Sequence, residues 1–231
     1  YSVMGSTGTG KSSFIRTISG DQTVRVGSNL HSETLDIQRV EFTERNSGRK
    51  VTLVDTPGFD DSDISDTDIL KMITNFLLNE YDANRKLNGI VYLQRISDPR
   101  FGGQNKRTLR MFQKLCGTDT YRNIVVVTTF WDKVSDQEGQ ARESQMKSSF
   151  FRELVDRGAA FMRHTRDLGT AQKVIDHIFT LHEPTFPMIV KEIREDGKNF
   201  IDTAAGSMQR EEVDKLITKH NEDLAALEKE M

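Results

Sequence analysis

The run Gly5-Ser6-Thr7-Gly8-Thr9-Gly10-Lys11-Ser12 constrains the fold more than any other part of the chain. It matches GxxxxGK(S/T), a loop that works only between a strand and a helix N-terminus, where backbone N–H groups and the helix dipole converge on an anion. The flanks agree: Val3-Met4 reads as the end of a strand, and Lys11 to Ser19 as a helix stopped by Gly20. The glycines permit the turn and a close backbone approach to phosphates, with Ser6, Thr7, Gly8, Thr9, Gly10 and Ser13 along the wrap. Lys11 places a point charge near the β and γ phosphates of a nucleoside triphosphate, and the Ser12 hydroxyl suits Mg2+.

The rest of the chain repeats the alternation. Val40 to Phe42 and Val51 to Val54 flank Asn46-Ser47-Gly48, a turn that predicts an antiparallel hairpin. Helical spacing from Ile69 to Leu77 precedes a buried strand at Ile90 to Leu93, and a helix over 104–116 precedes the strand Ile124 to Thr128. A single helix is expected over 137–157, then a last strand at Ala159 to Met162 and a helix from Thr170 to Leu181. The pattern predicts an α/β fold: three layers, a mostly parallel sheet with one antiparallel strand, helices on both faces, and a C-terminal helical extension. Domain limits are set at 1–182 for the nucleotide domain and 183–231 for the extension. Within the extension Val213, Ile217, Leu224, Leu227 and Met231 fit a heptad seam, with His220 at one core position; the alternative is an amphipathic helix lying on the parent domain.

Bulk properties restrict partners. A formal net charge of -3 gives no electrostatic reason to bind nucleic acid. No run of eighteen apolar residues and no signal peptide is present, so a soluble, cytoplasmic chain without a membrane segment is expected. One cysteine, Cys116, excludes an internal disulfide and reads as a buried thiol. Only four residues precede the first glycine of the phosphate loop, so a longer parent protein is expected.

Two further elements follow strands, where open α/β sheets bind ligands. Asp55-Thr56-Pro57-Gly58 places a carboxylate for Mg2+ at Asp55 and a γ-phosphate-sensing N–H at Gly58. Thr129-Phe130-Trp131-Asp132 offers the Asp132 carboxylate to the N1–H and exocyclic amine of guanine. This resembles the NKxD element of regulatory GTPases, with Thr129 at the Asn place and Phe130 at the Lys place, where the ring covers the base by stacking. An ATPase stays open as an alternative because of Phe130.

With these elements in order, the chain resembles the septin, chloroplast-import-receptor (Toc) and immunity-associated (GIMAP, AIG-type) branch of P-loop GTPases, and is most similar to fungal G-domain proteins of that branch. The likeness is carried by DTPGFDD at 55–61, LQRISDPRFGG at 93–103, TTFWDKV at 128–134 and TAAG at 203–206. It implies GTP/GDP and Mg2+ as ligands, Thr34 as the catalytic and metal-side threonine beside Lys11 and Gly58, and Trp131, Arg163 and His164 beside the base. It also implies dimerisation across the nucleotide face. Where Ras-like enzymes carry a water-orienting glutamine, this chain has Phe59, so slow hydrolysis is expected unless Arg95 or Arg100 of a facing copy supplies the missing group. A true GTPase acting as an assembly switch and an almost non-hydrolysing nucleotide-binding scaffold both fit Phe59.

Overall fold

The computed structural model describes residues 1–24, 36–61, 63–181 and 183–208; Thr34 and the heptad residues from Val213 onward lie outside the described residues. In chain order the elements are β1 (Ser2–Gly5), α1 (Lys11–Ser19), β2 (Gln38–Thr43), β3 (Lys50–Asp55), α2 (Asp66–Asp82), β4 (Ile90–Arg95), α3 (Gly103–Cys116), β5 (Ile124–Thr129), α4 (Asp136–Gln145), α5 (Arg152–Asp156), β6 (Ala160–Arg163), α6 (Leu168–Ile178) and α7 (Met188–Arg194). They form a six-stranded sheet in the order β2-β3-β1-β4-β5-β6. Among the described strands of this sheet only the β2–β3 pair is antiparallel, with Val40 opposite Leu53 and Phe42 opposite Val51. Glu44 closes that hairpin: its carboxylate accepts from the Asn46 and Ser47 N–H groups, and these bonds hold its pKa down at about 2.

Strand alternation divides the core into two layers. Val3, Leu53, Val91, Leu93, Val125 and Val127 face α1 and α6, meeting Phe14, Ile15, Ile18, Val174, Ile175 and Ile178. Met4, Tyr92 and Val126 face the other way, onto α2, α3 and the segment around Phe151. Cys116 is buried in this second layer, and burial pushes its thiol pKa up.

Two expectations need correction. The single helix over 137–157 is broken: Met146–Phe150 forms a π turn closed by the Phe151 N–H to the Met146 carbonyl at 2.9 Å. The extra residue lets two adjacent phenylalanines pack differently. Phe150 stacks on Phe101 with centroids 4.3 Å apart, while Phe151 enters the core 5.9 Å from Tyr92. After Pro184 the chain is also not helical throughout. Among the described residues only α7 and a 3-10 turn at Phe200–Asp202 are helical segments of length. Ile189 and Val190 are fully buried in the same layer as Phe112 and Leu115. The TAAG stretch folds as a turn in which Thr203 Oγ1 accepts from the Gly206 N–H at 3.0 Å.

β1 lies between β3 and β4, which it pairs on opposite sides. The chain therefore reverses direction across the sheet at the C-terminal end of β1, the place where doubly wound sheets leave a ligand crevice. No described helix is long and apolar enough to cross a membrane.

Candidate functional site

The loop between β1 and α1 occupies that crevice. Gly10 caps α1 at φ 94°, a left-handed conformation that a side chain would strain. Thr9 Oγ1 donates to the Ser6 carbonyl at 2.8 Å, folding the loop back on itself. Lys11 is 6% exposed, and its Nζ donates to the carbonyls of Gly5 (3.3 Å) and Ser6 (3.0 Å). Burial lowers its pKa to about 8, opposed by the nearby carboxylates of Asp55 and Asp61. Ser13 lies in the first turn of α1, its carbonyl accepting from Thr17 Oγ1.

Asp55, the last residue of β3, meets this loop. Ser12 Oγ donates to Asp55 Oδ2 at 2.6 Å. Asp55 Oδ1 is buried without a protein donor. Burial raises the Asp55 pKa, partly offset by Ser12 and Lys11. A buried carboxylate oxygen with no donor beside a serine hydroxyl is a fitting donor set for a hard, oxygen-seeking divalent cation. Thr56 Oγ1 donates to the Val3 carbonyl at 2.8 Å and ties the following turn to β1.

Gly58 is pressed against the phosphate loop. A Cβ there would lie 2.5 Å from Thr7 N and 2.6 Å from Thr7 Cα, so only glycine fits. Thr7 N–H donates to the Phe59 carbonyl at 2.7 Å, and Thr7 Oγ1 to the Gly58 carbonyl at 3.1 Å. The Phe59 side chain is fully buried in the layer with Met4 and Ile69. Its ring anchors the turn and lies in the core.

On the other side, Thr129 Oγ1 donates to the Thr9 carbonyl at 2.8 Å, binding the end of β5 to the phosphate loop. Phe130 is left-handed at φ 61°, and its ring edge sits 3.7 Å from where a Gly10 Cβ would be. Asp132 follows in a 3-10 turn, its side chain half-exposed beside Lys133 Nζ at 3.7 Å. Lys11, Ser12, Asp55, Gly58 and the 129–132 segment are thus tied to one crevice. The remaining base-side candidates are engaged with protein groups. Trp131 Nε1 donates to the Thr128 carbonyl at 3.2 Å, and Arg163 lies 4.2 Å over the Trp131 ring while bonding Glu143 at 3.0 Å. His164 is 2% exposed, edge-on to Phe14 at 5.3 Å, with Nδ1 3.0 Å from Thr170 Oγ1. Burial lowers its pKa.

Two arginines come close: Arg166, which carries no motif, and Arg95, expected at the site of a facing copy. Arg166 lies 4.1 Å over the Phe130 ring and 3.5 Å from Asp132. Arg95 Nη1 is 3.6 Å from a Cβ position on Gly8, over its own chain's loop, with Nε 3.2 Å from Asp98. Arg100 rims a separate cavity of about 210 Å³ with Phe101, Arg142 and Phe150.

Comparison with known proteins agrees with this architecture. The model of the AIG1 family matches residues 2–219. The GTP-binding protein A of Dictyostelium discoideum is 28% identical over 133 residues, 57% of this chain but only 28% of that relative's length. Toc33 from Arabidopsis thaliana in complex with GDP and Mg2+ aligns with TM-score 0.57 at 22% identity, covering 72% of this chain and 69% of Toc33. A structure from work on dimerization and GTPase activity of the chloroplast translocon components atToc33 and psToc159 aligns with TM-score 0.60 at 18% identity, covering 79% and 84%. At these identities the two structures show a shared fold.

Proposed function

The chain belongs to the AIG1 family, and from that premise we propose that it binds GTP and GDP with Mg2+ and works as a nucleotide-dependent dimerisation switch with slow GTP hydrolysis. The observation that carries this reading is the joining of Ser12 Oγ to Asp55 Oδ2 at 2.6 Å beneath the phosphate loop, with Asp55 Oδ1 left over. Phosphate-loop hydroxyl and strand-end carboxylate are the two groups this class uses to hold its metal. Ser12 and Asp55 would hold Mg2+, which supplies charge neutralisation at the β and γ phosphates. Lys11 would exchange the Gly5 and Ser6 carbonyls for phosphate oxygens, and the backbone N–H groups from Gly8 to Ser13 would wrap the chain of phosphates. Toc33 binds GDP and Mg2+ on the same fold, which supports the ligand assignment.

The switch resides in the Gly58-Phe59 turn. Thr7 holds this turn through two hydrogen bonds, one to the Gly58 carbonyl and one to the Phe59 carbonyl, and a γ-phosphate reached by the Gly58 N–H would reset them. Since Phe59 is a core side chain, it orients no water, and on this reading turnover depends on a group from a second copy. Arg100, outside its own crevice, is the residue offered to a partner; Arg95 already lies over its own loop. The buried Phe59 equally favours a second reading, a scaffold that holds nucleotide without hydrolysing it. Single-turnover GTP hydrolysis across protein concentration separates them. The switch predicts a specific rate that rises with concentration and is lost in Arg100→Ala, and a flat rate at background level leaves the scaffold.

A further inference from the structure

The phosphate half of the crevice is lined by backbone and Lys11, with Arg95 over Gly8, and the base half holds a side chain as well. Arg166 follows β6 in a left-handed conformation at φ 64°, which costs a non-glycine residue some strain. It turns the side chain back across the sheet edge. The guanidinium lies 4.1 Å over the Phe130 ring, and its Nη1 reaches Asp132 Oδ2 at 3.5 Å. A planar, delocalised donor group thus stacks on an aromatic face and points N–H at a carboxylate. The N1–C2–N2 edge of guanine is itself a cyclic guanidine, planar with two N–H donors on one side. It asks for the same two partners, a flat surface and a carboxylate accepting from adjacent N–H groups. The adenine edge places an acceptor nitrogen where guanine has N1–H, and a carboxylate repels it.

We infer that the Arg166 guanidinium is an internal guanine mimic: it occupies the base subsite of Phe130 and Asp132, whose ring and carboxylate select a guanidine-shaped edge, and it is displaced when the nucleotide binds. This rests on the nucleotide reading given above and deepens it. The inference also accounts for Phe130 at a place where a lysine stem would serve: an aromatic face accepts either the cation or the purine. Arg163 makes the parallel contact with Trp131 but is bonded to Glu143, which is 7% exposed. Arg166 has only Asp132 as an ion-pair partner among the described residues, and its side chain is 44% exposed, so it is the one free to leave.

A displaced plug has a signature opposite to that of a base contact. Removing it tightens nucleotide binding, because guanine no longer competes with a resident side chain. The Kd of a fluorescent GDP with Mg2+ is measured for the wild-type chain, Arg166→Ala and Arg166→Met, with inorganic pyrophosphate as a probe that lacks a base. An exposed cation–π contact and an exposed ion pair together set the expected gain at about 3- to 10-fold for GDP in both variants. Pyrophosphate affinity should stay as in the wild type. GDP affinity that is unchanged or weaker in both variants overturns the assignment, as does an equal gain for pyrophosphate. A wild-type chain that takes up pyrophosphate but no guanine nucleotide removes the nucleotide reading beneath it, an outcome distinct from normal uptake with unimproved variants.

Discussion

Replacing Gly58 with alanine puts a methyl group where the phosphate loop already is. The new Cβ would sit 2.5 Å from Thr7 N and Thr7 Oγ1 and 2.6 Å from Thr7 Cα. Ordinary contact requires about 3.5 Å, so loop and turn must separate by about 1 Å. That separation breaks two hydrogen bonds, Thr7 N–H to the Phe59 carbonyl and Thr7 Oγ1 to the Gly58 carbonyl, at about 1 kcal/mol each. It also drags the buried Phe59 ring in its socket, an overpacking cost of about 1–3 kcal/mol. The sum, about 3–5 kcal/mol, corresponds to a fall of about 6–20 °C in Tm for a chain of this size. Thermal unfolding of the nucleotide-free protein, followed by circular dichroism, reads it directly. Thr7→Ala added to Gly58→Ala should recover little, because two of the three close atoms belong to the Thr7 backbone. A Gly58→Ala protein within about 1 °C of wild type, or one fully rescued by Thr7→Ala, would refute the close approach described here.

Three further outcomes are expected. Asp132→Asn removes charge-assisted acceptance from the base and should weaken GDP by about 10- to 100-fold while improving binding of a xanthine nucleotide; competition between the two bases checks it, and undiminished GDP affinity would exclude Asp132 from the base subsite. Free Lys11 has its pKa lowered to about 8, and phosphates keep the amine charged, so above pH 8 the bound form carries the extra proton. Affinity for GDP should therefore be level below about pH 8 and fall by up to about tenfold per pH unit above it, and titrations that stay level to pH 9.5 would contradict this sign. Phe59→Gln strands an amide in the core and should cost about 3–5 kcal/mol in urea unfolding without raising the single-turnover hydrolysis rate; a faster, equally stable variant would show that position 59 faces the crevice.

Much of the fold is legible in local patterns. The phosphate loop declares itself because its glycines, lysine and serine act through backbone geometry within eight residues, and its flanking strand and helix appear at Ser2–Gly5 and Lys11–Ser19. The all-valine centre of β5 and the Asn46-Ser47-Gly48 turn are equally local, and both elements lie where periodicity places them. The misses are residues whose surroundings are set by distant chain. Periodicity over 137–157 cannot show that Phe150 stacks flat on Phe101 while the neighbouring Phe151 is fully buried, edge-on to Phe101 and against Tyr92, an arrangement that the π turn between two helices accommodates. Ile189 and Val190 look isolated in a charged tail, yet α7 meets both α2 and α3. At the site, Phe59 stands at the place of the glutamine of other enzymes, while its apolar ring follows the simpler rule and enters the core. Arg166 carries no motif, since its meaning depends on Phe130 and Asp132, more than thirty residues earlier.

The central claim is that a guanine nucleotide lies in the crevice at the end of β1 with its metal held by Ser12 and Asp55. Isothermal titration of GDP and a non-hydrolysable GTP analogue, with Mg2+ and with chelator, tests it in wild-type protein and in Lys11→Ala. One nucleotide bound per chain, with affinity that drops on chelation and is lost in Lys11→Ala, is the predicted result. No heat of binding at millimolar nucleotide in the wild type, or binding indifferent to both Mg2+ and Lys11, would contradict it.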